Sequence, residues 1–133
     1  MPINGMSLQK GATSITVVGG TATVFATDGL KVANGIHVID TSVTDLTLVP
    51  HATFKSKPHA LQSDGKYSKG RRDFNYTLPI ILASGTRSFQ VFRGMFEIHP
   101  EAPPAVQLEM RLMACQMIMN AGLNNYHTSG AIV

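Results

Sequence analysis

The sequence predicts an α+β protein in which an N-terminal β-hairpin and an antiparallel sheet are followed by a C-terminal helix. Runs rich in β-branched residues fill the first two-thirds of the 133-residue chain. Gly-Gly, Asp-Gly and Asn-Gly pairs, which tolerate positive φ, separate these runs. A proline cluster at 100–104 then ends the strand pattern, and a segment rich in Leu, Met, Ala and Gln follows it.

The first strands are predicted from short alternating runs. Residues 14–18 and 21–27 flank Gly19-Gly20, which is the pattern of a two-residue hairpin turn. Asp28-Gly29 and Asn34-Gly35 are predicted as further turns. The remaining predicted strands are 36–41, 44–57, 71–81 and 87–99, with a polar turn at 62–70.

The C-terminal segment 105–121 is predicted to be a helix that ends at Gly122. Its apolar residues lie nearly all round the helix, so we expect most of its sides to be buried. One helix about 10 Å across cannot cover a sheet of five strands spaced about 4.8 Å apart. The sequence therefore predicts a homodimer with exchanged helices, and the tail 123–133 has the length of a turn or a short second helix. The predicted dimer-interface residues are Val106, Met110, Leu112, Met113 and Met117.

Positive charge is concentrated in the middle of the chain. Residues 55–93 contain eight Lys or Arg and two Asp, a net charge of +6, whereas the whole chain carries +3. Strand alternation places many of these cations opposite the apolar side chains. Such a face can bind the phosphates of a polyanion, and Phe89 can stack on a base. The predicted phosphate contacts are Lys55, Lys57, Arg71, Arg87 and Arg93.

Other chemistry has little support in the sequence. The single cysteine, Cys115, lies among apolar helix residues, and the five histidines have no metal-site spacing. We therefore expect no cofactor, no metal, no membrane partner and no enzyme activity. A small ribonuclease using His51 and His59 stays open as an alternative, as does a free dimeric RNA-binding regulator that forms no shell.

The chain resembles the coat proteins of levivirus-type single-stranded RNA bacteriophages. The similarity covers residues 14 to 133 and lies in the order of hairpin, sheet and helix together with four short segments. These segments are VANGI at 32–36, GRRDFNYTLP at 70–79, RSF at 87–89 and SGAIV at 129–133.

The resemblance implies one coat-protein domain over 1–133, with hairpin and sheet at 14–99 and the helical region at 103–133. It implies an interlocked dimer that assembles into an icosahedral shell around genomic single-stranded RNA, with the open sheet face inside. It also implies binding of one RNA hairpin, which represses translation. The expected location is the virion, after synthesis in the bacterial host cytoplasm.

The resemblance also assigns individual residues to RNA binding. Thr53 falls where the family has a threonine lining an adenine pocket, and Phe89 falls where it has a base-stacking tyrosine. The other matched positions carry different residues from the family's. They are Lys55 and Lys57 in place of serine and arginine, and Asp73 and Asn75 in place of threonine and lysine.

Overall fold

The computed structural model of the chain describes residues 3–11 and 19–132. Within these residues, six strands form one antiparallel sheet in which each strand pairs with the next along the chain. The strands are β1 (Met6–Lys10), β2 (Thr21–Val32), β3 (Gly35–Asp40), β4 (His51–Lys57), β5 (Gly70–Ile81) and β6 (Arg87–Ile98). The helices that follow are α1 (Pro104–Met119) and α2 (Asn124–Ser129), joined by a 3-10 turn at Ala121–Leu123. This order confirms the predicted α+β fold.

The first hairpin differs from the prediction. The predicted strand 21–27 is part of β2, but the antiparallel partner of β2 is β1, with Met6 opposite Phe25. The predicted first strand, 14–18, lies outside the described residues. Gly19 and Gly20 do have positive φ, 76° and 80°. Residues 6–10 and 14–18 both alternate apolar and polar side chains, so the pattern alone could not distinguish the true partner of β2.

The connection between β3 and β4 is a loop where the sequence predicts a strand. Of the predicted strand 44–57, only residues 51–57 pair in the sheet. Asp45 turns the chain locally, because its carboxylate accepts hydrogen bonds from the amide and hydroxyl of Thr47 at 3.0 and 2.7 Å. Such local bonds compete with strand pairing. The loop closes where the amide of Asp40 donates to the carbonyl of Pro50 at 2.9 Å.

Asp28 and Gly29 form a bulge inside β2 instead of the predicted turn. The pairing of β2 with β3 shifts between Thr27 and Lys31, and Gly29 has a φ of 87°. An irregularity of this kind re-aims a side chain within a strand. Here it brings the carboxylate of Asp28 next to the ring of His37 on β3.

The strand register separates the side chains into two faces, because cross-strand partners lie on the same side of a sheet. The polar face carries His37, His51, Thr53, Lys55, Lys57, Arg71, Asp73, Asn75, Thr77, Arg87, Phe89, Val91 and Arg93. The apolar face carries Ile36, Val38, Ala52, Phe54, Phe74, Tyr76, Leu78, Phe92 and Phe96. The placement of Phe89 with the cations, opposite Phe92, agrees with the predicted alternation.

The apolar face holds a small core and a row of aromatic rings. Phe74 lies at the centre of the row, with ring centroids 5.9 Å from Phe54, 5.4 Å from Phe92 and 6.3 Å from Phe96. Gly94 leaves room for these rings, since a Cβ there would lie 3.0 Å from ring carbons of Phe74 and Phe92. The buried core residues are Met6, Phe25, Val38 and Ala52.

Helix α1 does not cover the apolar face of its own chain. None of its described residues is buried, and Met117 is 60% exposed. Near the end of β6, Val106 and Met110 line a shared groove with Ile98. The helix ends at Met119, two residues before the end of the predicted segment 105–121. Its C-cap is Asn120, so the prediction that Gly122 ends the helix is wrong. The Asn120 side chain accepts a hydrogen bond from the Gly122 amide. No described helix is long and apolar enough to cross a membrane.

Apart from Ala114 and Ile118, the apolar residues from Val106 to Met119 form two stripes on opposite sides of α1. Successive residues are rotated by about 100°, which separates the stripes by polar lines at Glu109 with Gln116 and at Gln107 with Arg111. The first stripe contains Val106, Met110, Met113 and Met117, and the second contains Leu108, Leu112, Cys115 and Met119. A helix with two apolar sides is suited to packing between two other elements.

Candidate nucleic-acid interface

The centre of the polar face is a straight row of side chains across four strands. His37 on β3 lies opposite Thr53 on β4, Thr53 lies opposite Asn75 on β5, and Asn75 lies opposite Arg93 on β6. Cross-strand neighbours have Cβ atoms about 5 Å apart, so this row presents ring, hydroxyl, amide and guanidinium groups side by side. These groups can donate and accept hydrogen bonds with a polar ligand on the face.

A cleft of about 340 Å³ opens over this row. Four of the predicted RNA-binding residues line this cleft: Thr53, Asn75, Phe89 and Arg93. His51, Thr77 and Val91 complete its lining. The cleft therefore combines a cation, several hydrogen-bonding side chains and the aromatic ring of Phe89 within one depression.

Phe89 is the most exposed aromatic side chain of this cleft. It lies opposite Pro79 on β5, and 65% of its surface is accessible. An exposed aromatic ring beside polar groups is the usual platform for stacking a nucleobase. Phe89 and Arg93 line the same cleft, with Val91 between them on the strand, so a nucleotide whose base stacks on Phe89 can have a phosphate near a cation.

The remaining predicted phosphate contacts differ in how free their charges are. The Arg71 Nε atom lies 3.0 Å from the Asp73 carboxylate, so these two predicted residues partly neutralise each other. Arg87 Nη2 lies 3.2 Å from the Asp45 carboxylate, and Arg87 also contacts the hydroxyl of Thr47. By contrast, no ion pair involves the cations of Lys55, Lys57 or Arg93 within the described part of the chain.

The ion pair of Arg87 ties β6 to the loop before β4. Hydrogen bonds from the hydroxyl and then the amide of Thr47, together with Arg87, lower the pKa of Asp45, and they outweigh its slight desolvation. Asp45 is therefore ionised at neutral pH. Sequence analysis could not foresee this pair, because it predicts a strand where the loop lies.

A chain of three hydrogen-bonded side chains borders the cleft. The His37 Nδ1 atom lies 3.1 Å from the Asp28 carboxylate, and His37 Nε2 lies 3.4 Å from His51 Nδ1. Donation from the Leu30 amide, followed by His37, lowers the pKa of Asp28. Burial, followed by the charge of His37, lowers the pKa of His51. The chain thus has an ionised carboxylate at one end and a histidine that favours its neutral form at the other.

Alternation along the sequence places His51 on the polar face but does not indicate a part in RNA binding. The proximity of Asp28 and His37 does not follow from the sequence pattern, because it depends on the bulge in β2 and on the register of β3. The two histidines of the ribonuclease alternative are not brought together: His51 borders the cleft, whereas His59 lies beyond the end of β4 and contacts the carbonyl of Ser68.

Comparison with solved structures finds proteins similar to this chain over nearly its whole length. The chain superposes on the coat subunit of the virus-like particle of bacteriophage GQ-907 with a TM-score of 0.81 and 35% sequence identity. The similarity covers 97% of this chain and 98% of that chain. No protein-family model matches the chain, and no curated protein matches it either.

Two more distant structures share the fold alone. The virus-like particle of bacteriophage AVE019 matches with a TM-score of 0.69 at 12% identity, over 95% of both chains. The virus-like particle of bacteriophage NT-214 matches with a TM-score of 0.70 at 8% identity, over 100% of this chain and 99% of that chain. The sheet-then-helix architecture therefore persists where sequence similarity is very low.

Proposed function

Since the chain belongs to the coat proteins of single-stranded RNA bacteriophages, and is thus a structural capsid protein and not an enzyme, we propose how it assembles and what it encloses. It forms a homodimer with exchanged helices, and the dimers build an icosahedral shell around genomic single-stranded RNA. The polar face lines the inside of this shell. Synthesis takes place in the cytoplasm of the bacterial host.

The dimer is supported by what a single chain leaves uncovered. Leu78 and Phe92 on the apolar face are both more than a third exposed, and α1 has no buried residue. A second copy supplies an α1 for this face, and each of the two apolar stripes of α1 then gains a partner. At about 25 cal/mol for each Å² of apolar surface, this burial is a strong driving force for association.

The free edge of the sheet offers the second part of the dimer contact. β6 is the last strand in the sheet order and is 12 residues long. A long unpaired strand edge is a template for pairing with another chain. We place the two β6 strands side by side in the dimer, which gives one continuous sheet with the polar faces of both copies on the same side.

RNA binding is supported above all by the cleft that joins Phe89 to Arg93, Asn75 and Thr53. Arg93, with Lys55 and Lys57 farther along the same face, neutralises phosphates without preference for sequence. Phe89 stacks a base, and Asn75 and Thr53 bond to its edge. The same cleft is proposed to hold an unpaired base of a genomic RNA hairpin, and thereby to repress translation.

The experiment is to express the chain alone in a bacterium and image the purified protein by negative-stain electron microscopy. We expect uniform round particles whose RNA survives nuclease treatment and is recovered after the shell is dissociated. Dimers that bind RNA without forming particles would favour the free regulator instead. Particles that contain no RNA would contradict the proposed role of the polar face.

A further inference from the structure

We call the hydrogen-bonded chain of Asp28, His37 and His51 the histidine relay. It crosses three strands, since Asp28 lies on β2, His37 on β3 and His51 on β4. The side chain of His37 is 11% exposed, so it is largely shielded from water. His51 is the relay member that reaches the cleft, and within the described residues its Nε2 atom has no hydrogen-bond partner. Whether Nε2 donates a hydrogen bond to a ligand or accepts one is therefore determined by the other two members of the relay.

The positions of the hydrogens follow from Asp28. Its carboxylate is ionised and can only accept, and it already accepts from the Leu30 amide at 3.1 Å. The Nδ1 atom of His37 must therefore carry a hydrogen. A neutral His37 then has a lone pair on Nε2, which requires the Nδ1 atom of His51 to donate. In the neutral relay, the Nε2 atom of His51 consequently presents a lone pair to the cleft.

One added proton reverses this arrangement. If His51 takes the proton, both of its ring nitrogens carry hydrogens. If His37 takes it, the Nε2 atom of His37 donates to Nδ1 of His51, and the hydrogen of neutral His51 then resides on Nε2. Both protonated forms present a donor to the cleft where the neutral form presents an acceptor. The outcome does not depend on which histidine is charged.

We propose that His51 is a specificity-determining residue of the cleft, and that the histidine relay makes it select a base that presents an amino group to Nε2, such as the 6-amino group of adenine or the 4-amino group of cytosine. This inference rests on the proposed function, which places RNA on the polar face. The amino group donates to the lone pair of His51 Nε2 while the base stacks on Phe89. Protonation of the relay removes this preference and favours carbonyl oxygens, as in uracil, or phosphate oxygens.

The charged groups around the relay are few. β2 contributes Asp28, β3 contributes His37, and β6 contributes Arg93, which lines the same cleft. β5 contributes only the uncharged Thr77 and Asn75 at this point. On its own strand β4, the nearest charged side chain on the same face is Lys55. Burial, followed by the charge of His37, lowers the pKa of His51, which favours the neutral form of that ring and with it the lone pair on Nε2.

The first test measures the hydrogens directly. Long-range proton–nitrogen NMR on the RNA-free, full-length protein distinguishes the two neutral forms of each histidine. We expect both His37 and His51 to carry their hydrogen on Nδ1 at about pH 7.5, whereas free histidine favours the other nitrogen. A hydrogen on Nε2 of His51 at that pH would overturn the proposal, whatever the protein does with RNA.

The second test measures base selection by fluorescence anisotropy. The probes are two short single-stranded RNAs that differ only at one central position, which is adenosine or purine riboside, the analogue lacking the amino group. We expect the adenosine RNA to bind about three- to tenfold more tightly at about pH 7.5, the range for one hydrogen bond. As the pH is lowered, the two affinities should converge, because protonation of the relay replaces the lone pair on His51 Nε2 with a hydrogen; a ratio that stays constant down to the pH at which the protein unfolds would contradict the proposal.

Two variants separate failure of the inference from failure of the proposed function. His51→Gln should remove the pH dependence of the affinity ratio, while Phe89→Ala should weaken binding of both RNAs at every pH. If Phe89→Ala changes nothing, RNA does not occupy the cleft and the proposed function is wrong there. If Phe89→Ala weakens binding but wild type never distinguishes the two RNAs, the RNA site stands and the role of the relay is refuted.

Discussion

The two faces of the sheet are made by the same strands. They differ in how far the rest of the same chain covers or pairs their side chains. On the apolar face, a ring row centred on Phe74 is only half covered, and the helix that could cover it has no buried residue. On the polar face, several side chains already have partners within the chain: Arg71 with Asp73, Arg87 with Asp45, and the members of the histidine relay. In the proposed dimer a second copy of the chain covers the apolar face, whereas part of the polar face is already preorganised within one chain. Changes on the first should therefore alter folding and assembly, and changes on the second should alter ligand binding.

The largest effect is expected from a charge in the first apolar stripe of α1. Met113→Asp places a carboxylate where the partner chain should bury the helix, at a cost of about 3–5 kcal/mol for an unpaired buried charge. We expect loss of dimers and particles in sedimentation velocity. The matched control is Gln116→Asp, which introduces the same residue one turn away on a polar line of the helix. Normal particles from Met113→Asp would show that this stripe is not an interface.

A smaller effect on folding is expected at Gly94. Gly94→Ala puts a methyl group against the rings of Phe74 and Phe92, which lie 3.0 Å from the Cβ position. Overpacking of this kind costs about 1–3 kcal/mol, so the thermal midpoint should fall. The double variant with Phe92→Leu provides the control, because the smaller side chain makes room for the methyl group. The loss of stability in the double variant should then be smaller than the sum of the losses in the two single variants. If the two losses simply add, the methyl group does not contact Phe92.

The sharpest contrast between the faces comes from two phenylalanines of β6 that lie on opposite faces of the sheet. Phe89→Ala should weaken binding of a selected RNA hairpin by about tenfold or more, since stacking contributes roughly 1–3 kcal/mol per base. Its thermal midpoint and particle yield should stay near wild type, and the salt dependence of binding should not change. Phe92→Ala, at a half-exposed ring of the opposite face, should do the reverse and lower stability. If Phe89→Ala aggregates instead, Phe89 belongs to the packing of the protein and not to RNA binding.

The smallest effect distinguishes free from paired cations on the polar face. Arg93→Gln should flatten the slope of log affinity against log salt by about 0.7–0.9, one phosphate contact's share. Arg87→Gln should flatten the slope less, because its guanidinium is already held by Asp45. Filter binding across a salt series measures both slopes. Equal slopes for the two variants would indicate that Arg87 leaves Asp45 when RNA binds.

The parts of the fold that the sequence predicts well are those governed by local periodicity. Alternation in β5 and β6 places Phe89 and Arg93 opposite Phe92 correctly, and residue composition places α1 within two residues of its observed start and end. The parts it misses depend on competition between segments or on register. Residues 6–10 and 14–18 have equivalent patterns, Asp45 stops a strand by bonding locally, and the bulge at Asp28 creates the histidine relay from residues far apart in sequence.

The most direct measurement is a near-atomic cryo-electron microscopy reconstruction of the particle formed by the expressed chain. We expect α1 of one copy to lie over the apolar face of its partner, and RNA density to touch the polar face with a base stacked on Phe89. Helices lying over the polar face, or RNA density against the ring row of Phe74, would contradict the assignment of the two faces.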